Sequence, residues 1–575
     1  MRDSRTETDS RFVALVTEAA DAHAKQVLDG AASVTAGPVH HRKVMWDVGA
    51  LVACCVNPGS ALHGSERAAA AALGLAEYLE SMQGPEGLFD GENLASPPDT
   101  AFTINDLCDA YALLNGTADP LLGKVAAALE RIAVAAAQPL LHGGVHTPNH
   151  RWELCAALAR LHRHWPDERL VARVDQWLAE GVDIAADGMY SERSAIYALY
   201  VSNPSLTAIG LELDRPKLLD AVCRNLEAIM GTTLPDGTVE TVHSRRQDQR
   251  GTIDLTGFLM QFRRFAIARD RGDFAGAVAE ILESPLADPA RALTEILLDP
   301  ALAGPVPQSV PSGPIRALFP SSSLAVVRDG VFYASVYGGS DYAEQGRIRS
   351  GLASNPTFLR MAGGAAVLDA VRLSRDFFGL GPFRSDGLRA DDDGTLLLRE
   401  TVSASYYGPL PDSSLRSDGD YELADEGRFS AAMDFARRPS TEVEMTTRLR
   451  VRIADGAVEL TCEADPARVR QTLELTFKAG GDLTGVREAS VTGCQEPEGN
   501  AFAYRCGEDI IEATVNGAAP GPAGTPAYHP GEDYTHLSGT DAIDGAKVHI
   551  PLGSHGPTTV LLKHRTASRT ADSEE

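Results

Sequence analysis

Long hydrophobic runs and paired cysteines are both missing from this sequence of 575 residues. The most apolar stretch, 45–56, is too short to cross a bilayer and carries Asp47 near its start. The eight cysteines are scattered, mostly inside apolar stretches, and no C-x-x-C pair occurs. This distribution argues against a disulfide framework or a zinc–thiolate site and is typical of buried free thiols in a reducing compartment.

Basic residues are also in short supply. Lysine and arginine number 52 against 79 aspartates and glutamates, which gives a formal net charge of −27. Phosphate backbones and anionic membranes repel such a chain, so we expect no nucleic-acid partner and no membrane partner. The polar N-terminus, MRDSRTETDSRF, has no apolar core behind it and is unlike a secretory signal, which predicts a cytoplasmic protein.

What the sequence does contain is a change of apolar period near its middle. In the first three hundred residues apolar positions recur at steps of three and four, which predicts a series of helices. The predicted helices cover 12–28, 65–81, 101–114, 120–137, 151–161, 168–178, 216–230 and 254–268. A proline-rich stretch follows, and beyond it the apolar period becomes two, as in antiparallel strands.

These patterns predict a multidomain α and β protein, with an N-terminal (α/α) toroid of helical hairpins followed by a C-terminal antiparallel β-sandwich. We expect the helical toroid at 1–305, a proline-rich linker at 306–322, the antiparallel β-sandwich at 323–565 and a disordered tail at 566–575.

Three segments beside helix ends carry candidate functional side chains. In the first, at 142–161, Pro148 breaks the chain just before a helix, and Asn149 is the expected cap. Asn149, His150 and Trp152 would then cluster at a helix N-terminus, where N–H groups favour an anion. A capped helix with a surface histidine explains the same residues.

The second segment, DGMYSERSAIYALYVSNPS at 187–205, is predicted to lead from a glycine turn into a short helix. Tyr190, Arg193 and Tyr197 are spaced three and four apart, so they would share one face of that helix. A nearby arginine favours phenolate and brings a tyrosine closer to acting as a base. The alternative is a helix whose tyrosines pack their rings in the core.

The third segment, at 234–251, places basic residues after a turn, which suits a carboxylate or sulfate ligand. They are His243, Arg245, Arg246 and Arg250. The alternative is a solvated loop paired with its own acids, Asp236, Glu240 and Asp248. In the predicted sandwich, the segment 342–358 either faces a ligand cleft or protects a sheet edge.

Taken together, these segments resemble the heparinase II/III and oligoalginate-lyase group of polysaccharide lyases. The Asn-His-x-Trp element at 149–152 resembles that family's Asn-His element at a helix start. The Asp-Gly…Tyr segment at 187–197 resembles the segment whose tyrosine is catalytic in the family, and the Leu-Pro-Asp-Gly turn at 234–237 is a looser likeness. The resemblance implies an (α/α) toroid joined to a β-sandwich, and cleavage of uronic-acid glycans by β-elimination.

One departure concerns the histidine-containing loop that family members commonly have early in the sandwich. The corresponding stretch here, GRIRSGLASNPTF at 346–358, has no histidine, so we expect neither a sandwich-borne base nor the zinc of some relatives. His243 is the nearest substitute. We expect no cofactor. The sequence leaves open whether the protein binds a structural divalent cation and whether it forms a homodimer.

The resemblance implies roles for individual residues. The catalytic set is predicted to be Asn149, His150, Tyr197 and His243. The substrate-binding set is predicted to be Trp46, His146, Trp152, Tyr190, Arg193, Arg245, Arg246, Tyr342, Arg347 and Arg349. Asn149, His150 and an arginine would neutralise a uronate carboxylate, and Tyr197 would abstract the C5 proton or protonate the leaving oxygen.

Two other functions stay open at this stage. A glycoside hydrolase would need two facing carboxylates, and acids near turns are available. They are Asp99, Asp187, Glu192 and Asp236. A non-catalytic carbohydrate-binding protein would use the tryptophans as platforms or core residues.

Overall fold

The chain folds into two compact units, seen here in a computed structural model that describes residues 8–34, 37–91, 94–341, 355–489, 493–519, 533–534, 539–540 and 543–567. The helical unit comprises Met1–Met230 and Asp254–Ser312, and the sandwich unit comprises Gly231–Ile253 and Gly313–Glu575. This division differs from the linear one predicted from the sequence, because 231–253 belongs with the sandwich although helices flank it in the chain.

The helical unit contains the predicted helices with ends shifted by a few residues. The helices are α1 Ser10–Val34, α2 His41–Val56, α3 Glu66–Met82, α4 Pro97–Leu113, α5 Pro120–His142, α6 Pro148–His164, α7 Glu168–Leu178, α8 Ala195–Tyr197, α9 Asn203–Glu212, α10 Pro216–Gly231, α11 Leu259–Arg269, α12 Gly272–Ile281 and α13 Pro289–Leu298. Among the described helices, none is both long and apolar enough to cross a bilayer.

Four helices that the periodicity did not predict are α2, α9, α12 and α13. Of these, α2 is buried on most of its surface, so its sequence lacks a polar stripe. The helix α13 lies shortly before the predicted linker; Pro289 occupies a first-turn position, and the Asp288 side chain accepts a hydrogen bond from the Arg291 amide. In the sequence, Pro289 suggested the interruption of a helix, whereas it lies in the first turn of one.

The helices α2, α4, α6 and α9 run parallel to one another, as their side-chain contacts show. Asn105 of α4 bonds Glu153 of α6, and further along Arg160 of α6 bonds Asp109 of α4. The same order holds between α6 and α9, where Glu153 contacts Ser205 and Arg163 contacts Glu212. The intervening helices pack beside them, as in an (α/α) toroid, so the N-termini of the parallel helices lie at one end.

The sandwich unit is built from strands that alternate apolar and polar residues. The strands among the described residues, in both units, are β1 Asp90–Gly91, β2 Leu94–Ala95, β3 Thr238–Val239, β4 Ile253–Asp254, β5 Ile315–Phe319, β6 Leu324–Asp329, β7 Phe332–Tyr337, β8 Leu359–Gly363, β9 Ala366–Arg375, β10 Leu388–Ala390, β11 Leu396–Tyr407, β12 Ala424–Asp425, β13 Ser430–Ala431, β14 Ser440–Ala454, β15 Ala457–Asp465, β16 Gln471–Phe477, β17 Asp482–Thr484, β18 Val486–Glu488, β19 Cys494–Pro497, β20 Ala501–Cys506, β21 Asp509–Asn516, β22 Asp533–Tyr534, β23 Gly539–Thr540, β24 Ala546–Pro551 and β25 Thr558–Thr566.

Two large sheets form the sandwich in the described part of the chain. One has the order β10-β11-β14-β15-β25-β21-β20-β17, and the other has the order β18-β19-β24-β16-β9-β8-β7-β6-β5. Neighbouring strands are antiparallel except β19 and β24, which are parallel. Apolar side chains from both sheets, such as Leu449 and Leu475, form one core between them. The predicted toroid and antiparallel sandwich are therefore both present.

The two sheets differ in how their outer faces are covered. In β14 buried residues alternate with exposed ones, whereas every residue of β16 is buried. The second sheet is therefore buried on both faces at β16, and the segment 231–253 covers part of its outer face at β7 through Glu240. The stretch predicted to be a linker, 306–322, is structured, because the Val310 amide bonds the Gly272 carbonyl at 2.9 Å and β5 pairs with β6.

Candidate active site

The helix α6 begins at Pro148, three residues before the predicted start at 151. Pro148 is its first residue, which suits a residue without an N–H, and Thr147 precedes it as the N-cap. The prediction that Asn149 caps the helix is therefore wrong. Asn149 lies in the first turn, where its Oδ1 accepts a hydrogen bond from the Thr147 hydroxyl at 2.8 Å.

Asn149 and His150 lie together at this helix N-terminus. Asn149 is 1% exposed, and within the described part of the chain its Nδ2 has no hydrogen-bond partner. The His150 ring is 8% exposed and lies edge-on to His146 at 4.8 Å and to Phe102 at 6.0 Å between ring centroids. His146 itself is exposed. The structure thus brings together three of the predicted site residues on α6 and the loop before it.

The N-terminal turns of α2 and α4 add Arg42 and Phe102, which the sequence analysis missed, and Asp99, which it considered only for a hydrolase. The Arg42 guanidinium lies 3.7 Å from the centroid of the Phe102 ring and forms an ion pair with Asp99. Phe102 in turn contacts His150. The ring that contacts the His150 imidazole therefore also contacts a cation, and that cation pairs with a carboxylate, although these residues lie far apart in the sequence.

His41, the first residue of α2, lies next to Arg42 and is buried. Its ring stacks on Phe89 at 4.8 Å, and its Nδ1 lies 2.6 Å from the Thr103 hydroxyl. Burial, together with His40 and Arg42, lowers the pKa of His41 to about 3. The imidazole of His41 is therefore neutral at physiological pH. The His-His-Arg run at a helix start is the signal that sequence reasoning had available and did not use.

Tyr197 does not lie on the predicted helix face. Tyr190 pairs with Ile184 in an isolated β-bridge, and Arg193 has a φ of 52°, so no helix joins them to Tyr197. The turn forms because Gly188 has a φ of +85°, and an added Cβ there would lie 2.3 Å from a backbone oxygen. Tyr197 ends the short turn α8, where its amide bonds the Ser194 hydroxyl at 3.2 Å, and it is half-buried.

The position of Tyr197 along the parallel helices follows from their contacts. Glu153 of α6 bonds Ser205 of α9 at 2.8 Å. Asn149 precedes Glu153 by about one turn, and Tyr197 precedes Ser205 by about two, through a π-helical turn at Ala198–Ser202. Both side chains therefore lie toward the same end of the helical unit.

Two of the predicted substrate-binding residues are buried in the helical unit. Trp152 is fully buried, and its Nε1 donates to Asp183 at 3.1 Å. Tyr190 is 6% exposed, and its hydroxyl donates to Asn203 at 2.9 Å. Both side chains therefore have structural partners within the helical unit, and their contact with a sugar stays a prediction. Trp46, in contrast, is 56% exposed on α2 and presents a ring to solvent.

The basic segment 234–251 belongs to the sandwich unit and packs on its second sheet. His243 is buried, Arg246 is half-buried, and Arg245 forms two hydrogen bonds with Asp341 at 2.7 and 2.8 Å. The segment is largely buried, which contradicts the alternative of a solvated loop, and of its acids Glu240 bonds Arg360 outside the segment.

Glu240 fixes this segment to the sheet. Its Oε2 accepts hydrogen bonds from the Tyr333 and Ser335 hydroxyls, and its Oε1 accepts them from Arg360 and two backbone amides. Burial alone would raise the pKa of Glu240, but Arg360, Ser335 and the Val242 amide lower it to about 2. The carboxylate is therefore ionised inside the protein.

Some predictions stay untested. Tyr342, Arg347 and Arg349 lie outside the described residues, and the roles of Arg193 and His243 toward a substrate stay predictions. Within the described ranges, no group of three or more histidine, cysteine, aspartate or glutamate side chains has the geometry of a metal site. Of the acids considered for a hydrolase, Asp99 pairs with Arg42, and Asp236 bonds the Thr238 amide and hydroxyl.

No protein-family model and no curated protein sequence matches the chain. Solved structures match it over nearly its whole length. The chondroitin AC lyase of Streptomyces coelicolor A3, in complex with chondroitin sulphate, has a TM-score of 0.52 at 12% identity, with 96% of this chain and 80% of that chain covered. A Paenibacillus xanthan lyase has a TM-score of 0.51 at 11% identity, with 97% and 59% covered.

A third similar structure is a chondroitinase AC lyase determined as oligosaccharide complexes. Its TM-score is 0.50 at 8% identity, with 97% of this chain and 84% of that chain covered. The chain therefore has the fold of polysaccharide lyases that combine an (α/α) toroid with a sandwich, which confirms the expected lyase-like fold.

Proposed function

We propose that the protein is a lyase that cleaves uronic-acid-containing polysaccharides or oligosaccharides by β-elimination. The observation that carries the proposal is the Asn149 amide, which is buried beside His150 at a helix N-terminus with an Nδ2 that no described residue accepts. A buried donor of this kind costs free energy unless a ligand bonds it. A sugar carboxylate is a suitable acceptor.

The first requirement of β-elimination is to quench the charge of the uronate carboxylate, because an ionised carboxylate leaves the adjacent C5 proton very weakly acidic. Asn149 and His150 supply hydrogen bonds at the positive end of α6. Arg42, which contacts the same Phe102 ring as His150, supplies a guanidinium within the helical unit. Arg245, one of the arginines predicted for this role, pairs with Asp341 in the sandwich unit, as Arg42 pairs with Asp99 in the helical unit.

The second requirement is proton transfer. In the reaction the C5 proton moves to a base, the C4–O bond breaks, a C4=C5 double bond forms, and the leaving oxygen takes a proton. The Tyr197 hydroxyl performs one or both transfers: as a phenolate it accepts the C5 proton, and as a phenol it protonates the leaving oxygen. Its half-buried position lets it meet a substrate.

The proposal is tested by incubating the protein with a panel of uronate glycans and following ultraviolet absorbance. A lyase forms a double bond conjugated with the carboxylate, which absorbs, whereas a hydrolase makes reducing ends without absorbance. Tyr197→Phe should abolish turnover, and Asn149→Ala should lower it by about a hundredfold or more. The matched control is Tyr200→Phe, since Tyr200 is 48% exposed on the following π-helical turn.

Each result has a defined meaning. Absorbance that depends on Tyr197 and not on Tyr200 supports the proposal. Full activity in Tyr197→Phe rejects the catalytic assignment, and reducing ends without absorbance reject the lyase in favour of a hydrolase. Binding without either product points to a carbohydrate-binding protein.

A further inference from the structure

One carboxyl group joins three of the parallel helices in the interior of the helical unit. Glu153 of α6 is 4% exposed. Its Oε1 accepts a hydrogen bond from Asn105 of α4 at 2.7 Å, and its Oε2 accepts one from Ser205 of α9 at 2.8 Å. The Asn105 amide also donates to the Glu153 backbone carbonyl at 3.0 Å. A single side chain thus links α4, α6 and α9.

Candidate catalytic side chains lie on α6 and in the segment that leads into α9, and Phe102, which contacts His150, lies on α4. Asn149 precedes Glu153 by four residues on α6, and Phe102 precedes Asn105 by three on α4. Tyr197 precedes Ser205 by eight residues in the segment that leads into α9. Because a helix rises 1.5 Å per residue, the Glu153 cluster lies about 5 Å below the first turn of α6 along the helix axis. A shift of one helix against another at Glu153 therefore moves these side chains relative to one another.

The charged groups around Glu153 come from several helices. From α4, Asp106 and Asp109 face the cluster, and from α6 itself Arg160 bonds both Asn105 and Asp109. From α13, Arg291 acts on Asp106. Burial raises the pKa of Glu153 to about 7, although Ser205, Asn105 and Arg160 oppose that rise and Asp106 adds to it. The carboxyl group therefore changes its charge near neutral pH.

We propose that Glu153 is a positioning residue that sets the mutual placement of Asn149, His150 and Tyr197, and that its ionised form is the one that supports turnover. This inference rests on the proposed function for its kinetic part. Both hydrogen bonds to the carboxyl oxygens come from donors, an amide and a hydroxyl, which is the pattern of a carboxylate. A protonated Glu153 would donate one bond, and the Ser205 hydroxyl would then accept it and turn its own proton toward another acceptor.

The test compares Glu153→Gln with Glu212→Gln. The first variant keeps the shape of the side chain but fixes it in an uncharged form. The second removes the Arg163–Glu212 ion pair, which also joins α6 to α9 but lies at their far end. In Glu153→Gln we expect kcat to fall about tenfold with little change in KM, and the inflection of the pH–rate profile near pH 7 to disappear. Glu212→Gln should keep the wild-type profile.

A second readout does not depend on any substrate. Infrared difference spectroscopy of the wild-type protein should show the carbonyl band of a protonated carboxyl that titrates near pH 7 and that Glu153→Gln lacks. Ser205→Ala removes one hydrogen bond to the carboxylate without removing the charge, so the titration midpoint should rise. This variant also serves if Glu153→Gln does not fold.

The outcomes separate the two proposals. If no uronate glycan is cleaved by the wild-type protein, the lyase proposal fails, and the infrared titration still decides whether Glu153 ionises near neutrality. If glycans are cleaved and Glu153→Gln keeps the wild-type kcat and pH profile, the positioning role is overturned. A midpoint near pH 7 that stays fixed in Ser205→Ala, or a band titrating near pH 7 that is unchanged in Glu153→Gln, overturns it as well. The Asp106 carboxyl, whose pKa burial raises to about 6, gives a separate band that Asp106→Asn removes.

Discussion

Each unit of the protein contains a deeply buried glutamate, and the two behave in opposite ways. Glu153 in the helical unit is 4% exposed and Glu240 in the sandwich unit is 2% exposed. Burial raises the pKa of Glu153 to about 7, whereas the neighbours of Glu240 overcome burial and lower its pKa to about 2. Equal burial therefore does not give equal charge.

The partners explain the difference. Glu153 receives hydrogen bonds from an amide and a hydroxyl, and another carboxyl, Asp106, lies nearby. Glu240 receives hydrogen bonds from a guanidinium, two hydroxyls and two backbone amides. A buried carboxylate is stable where a full positive charge compensates its lost hydration, and neutral donors alone do so incompletely. The sandwich unit uses its carboxylate as a fixed anchor, and the helical unit keeps one that can change charge.

The largest effect is expected from removing the cation beside Glu240. Arg360→Met leaves a buried carboxylate without its guanidinium, which should lower the free energy of unfolding by about 3–5 kcal/mol. Calorimetry measures the loss. Tryptophan fluorescence gives a comparison, because all four tryptophans lie in the helical unit and its transition should move less.

The control for that experiment is Glu240→Gln combined with Arg360→Met. The double variant removes both charges, so it should recover part of the lost stability. An Arg360→Met protein as stable as the wild type would show that Arg360 is not what keeps Glu240 ionised, and the contrast between the two glutamates would lose its explanation.

The next effect is a difference in the sign of pH dependence. Glu240 has a lowered pKa, so it contributes stability above about pH 4.5, which is lost as the pH falls toward 2. Glu153 has a raised pKa, so it contributes no penalty below about pH 4.5 and a growing one as the pH rises to 7. Each contribution is of the order of 2–3 kcal/mol.

Chemical denaturation at several pH values measures how the free energy of unfolding changes with pH. Glu240→Gln should be less stable than the wild type at pH 7, with the gap closing below pH 4. Glu153→Gln should gain stability relative to the wild type at pH 8 and show no gain at pH 4. If the difference in stability from the wild type changed with pH in the same direction in both variants, the opposite ionisation of the two groups would be contradicted.

The fold was largely predictable from sequence, since apolar residues at steps of three or four give helices and alternating ones give strands. The pattern failed where burial is complete. The helix α2 is apolar on most sides because other helices surround it, so no polar stripe indicated its length. Trp152 was predicted to stack on a sugar, but its side chain is fully buried. A local sequence pattern does not show which face of α6 the neighbouring elements bury.

Only the part of the candidate site that is formed by residues adjacent in the sequence was predictable. The Asn149-His150 pair precedes a helical pattern, and the structure has both at the start of α6. The contacts of Arg42 with Asp99 and Phe102 join residues nearly sixty positions apart, so no spacing rule indicates them. For the same reason, nothing in the sequence assigned 231–253 to the sandwich, because that assignment depends on Glu240 meeting Tyr333 and Arg360.

A smaller effect is expected when the second acid near Glu153 is neutralised. Asp106→Asn removes a negative charge that raises the pKa of Glu153, so the infrared titration midpoint should fall by less than about one pH unit. Asp106 is a minor contributor compared with burial. A midpoint that falls to that of an exposed glutamate would mean that the acid pair, and not burial, sets the charge of Glu153.

The smallest effect is expected from the other arginine pair of the segment 231–253. Arg245 bonds Asp341 at 2.7 Å, the same distance that joins Arg360 to Glu240, but its side chain is 34% exposed and its partner is 19% exposed. Water can replace the lost contacts at such a site, so Arg245→Gln should cost less than about 1 kcal/mol of unfolding free energy and less still at high salt. Calorimetry of Arg245→Gln, run in parallel with Arg360→Met, measures this loss of stability. If the two variants lose equal stability, pair geometry rather than burial determines the cost, and the comparison between buried carboxylates would need a different physical basis.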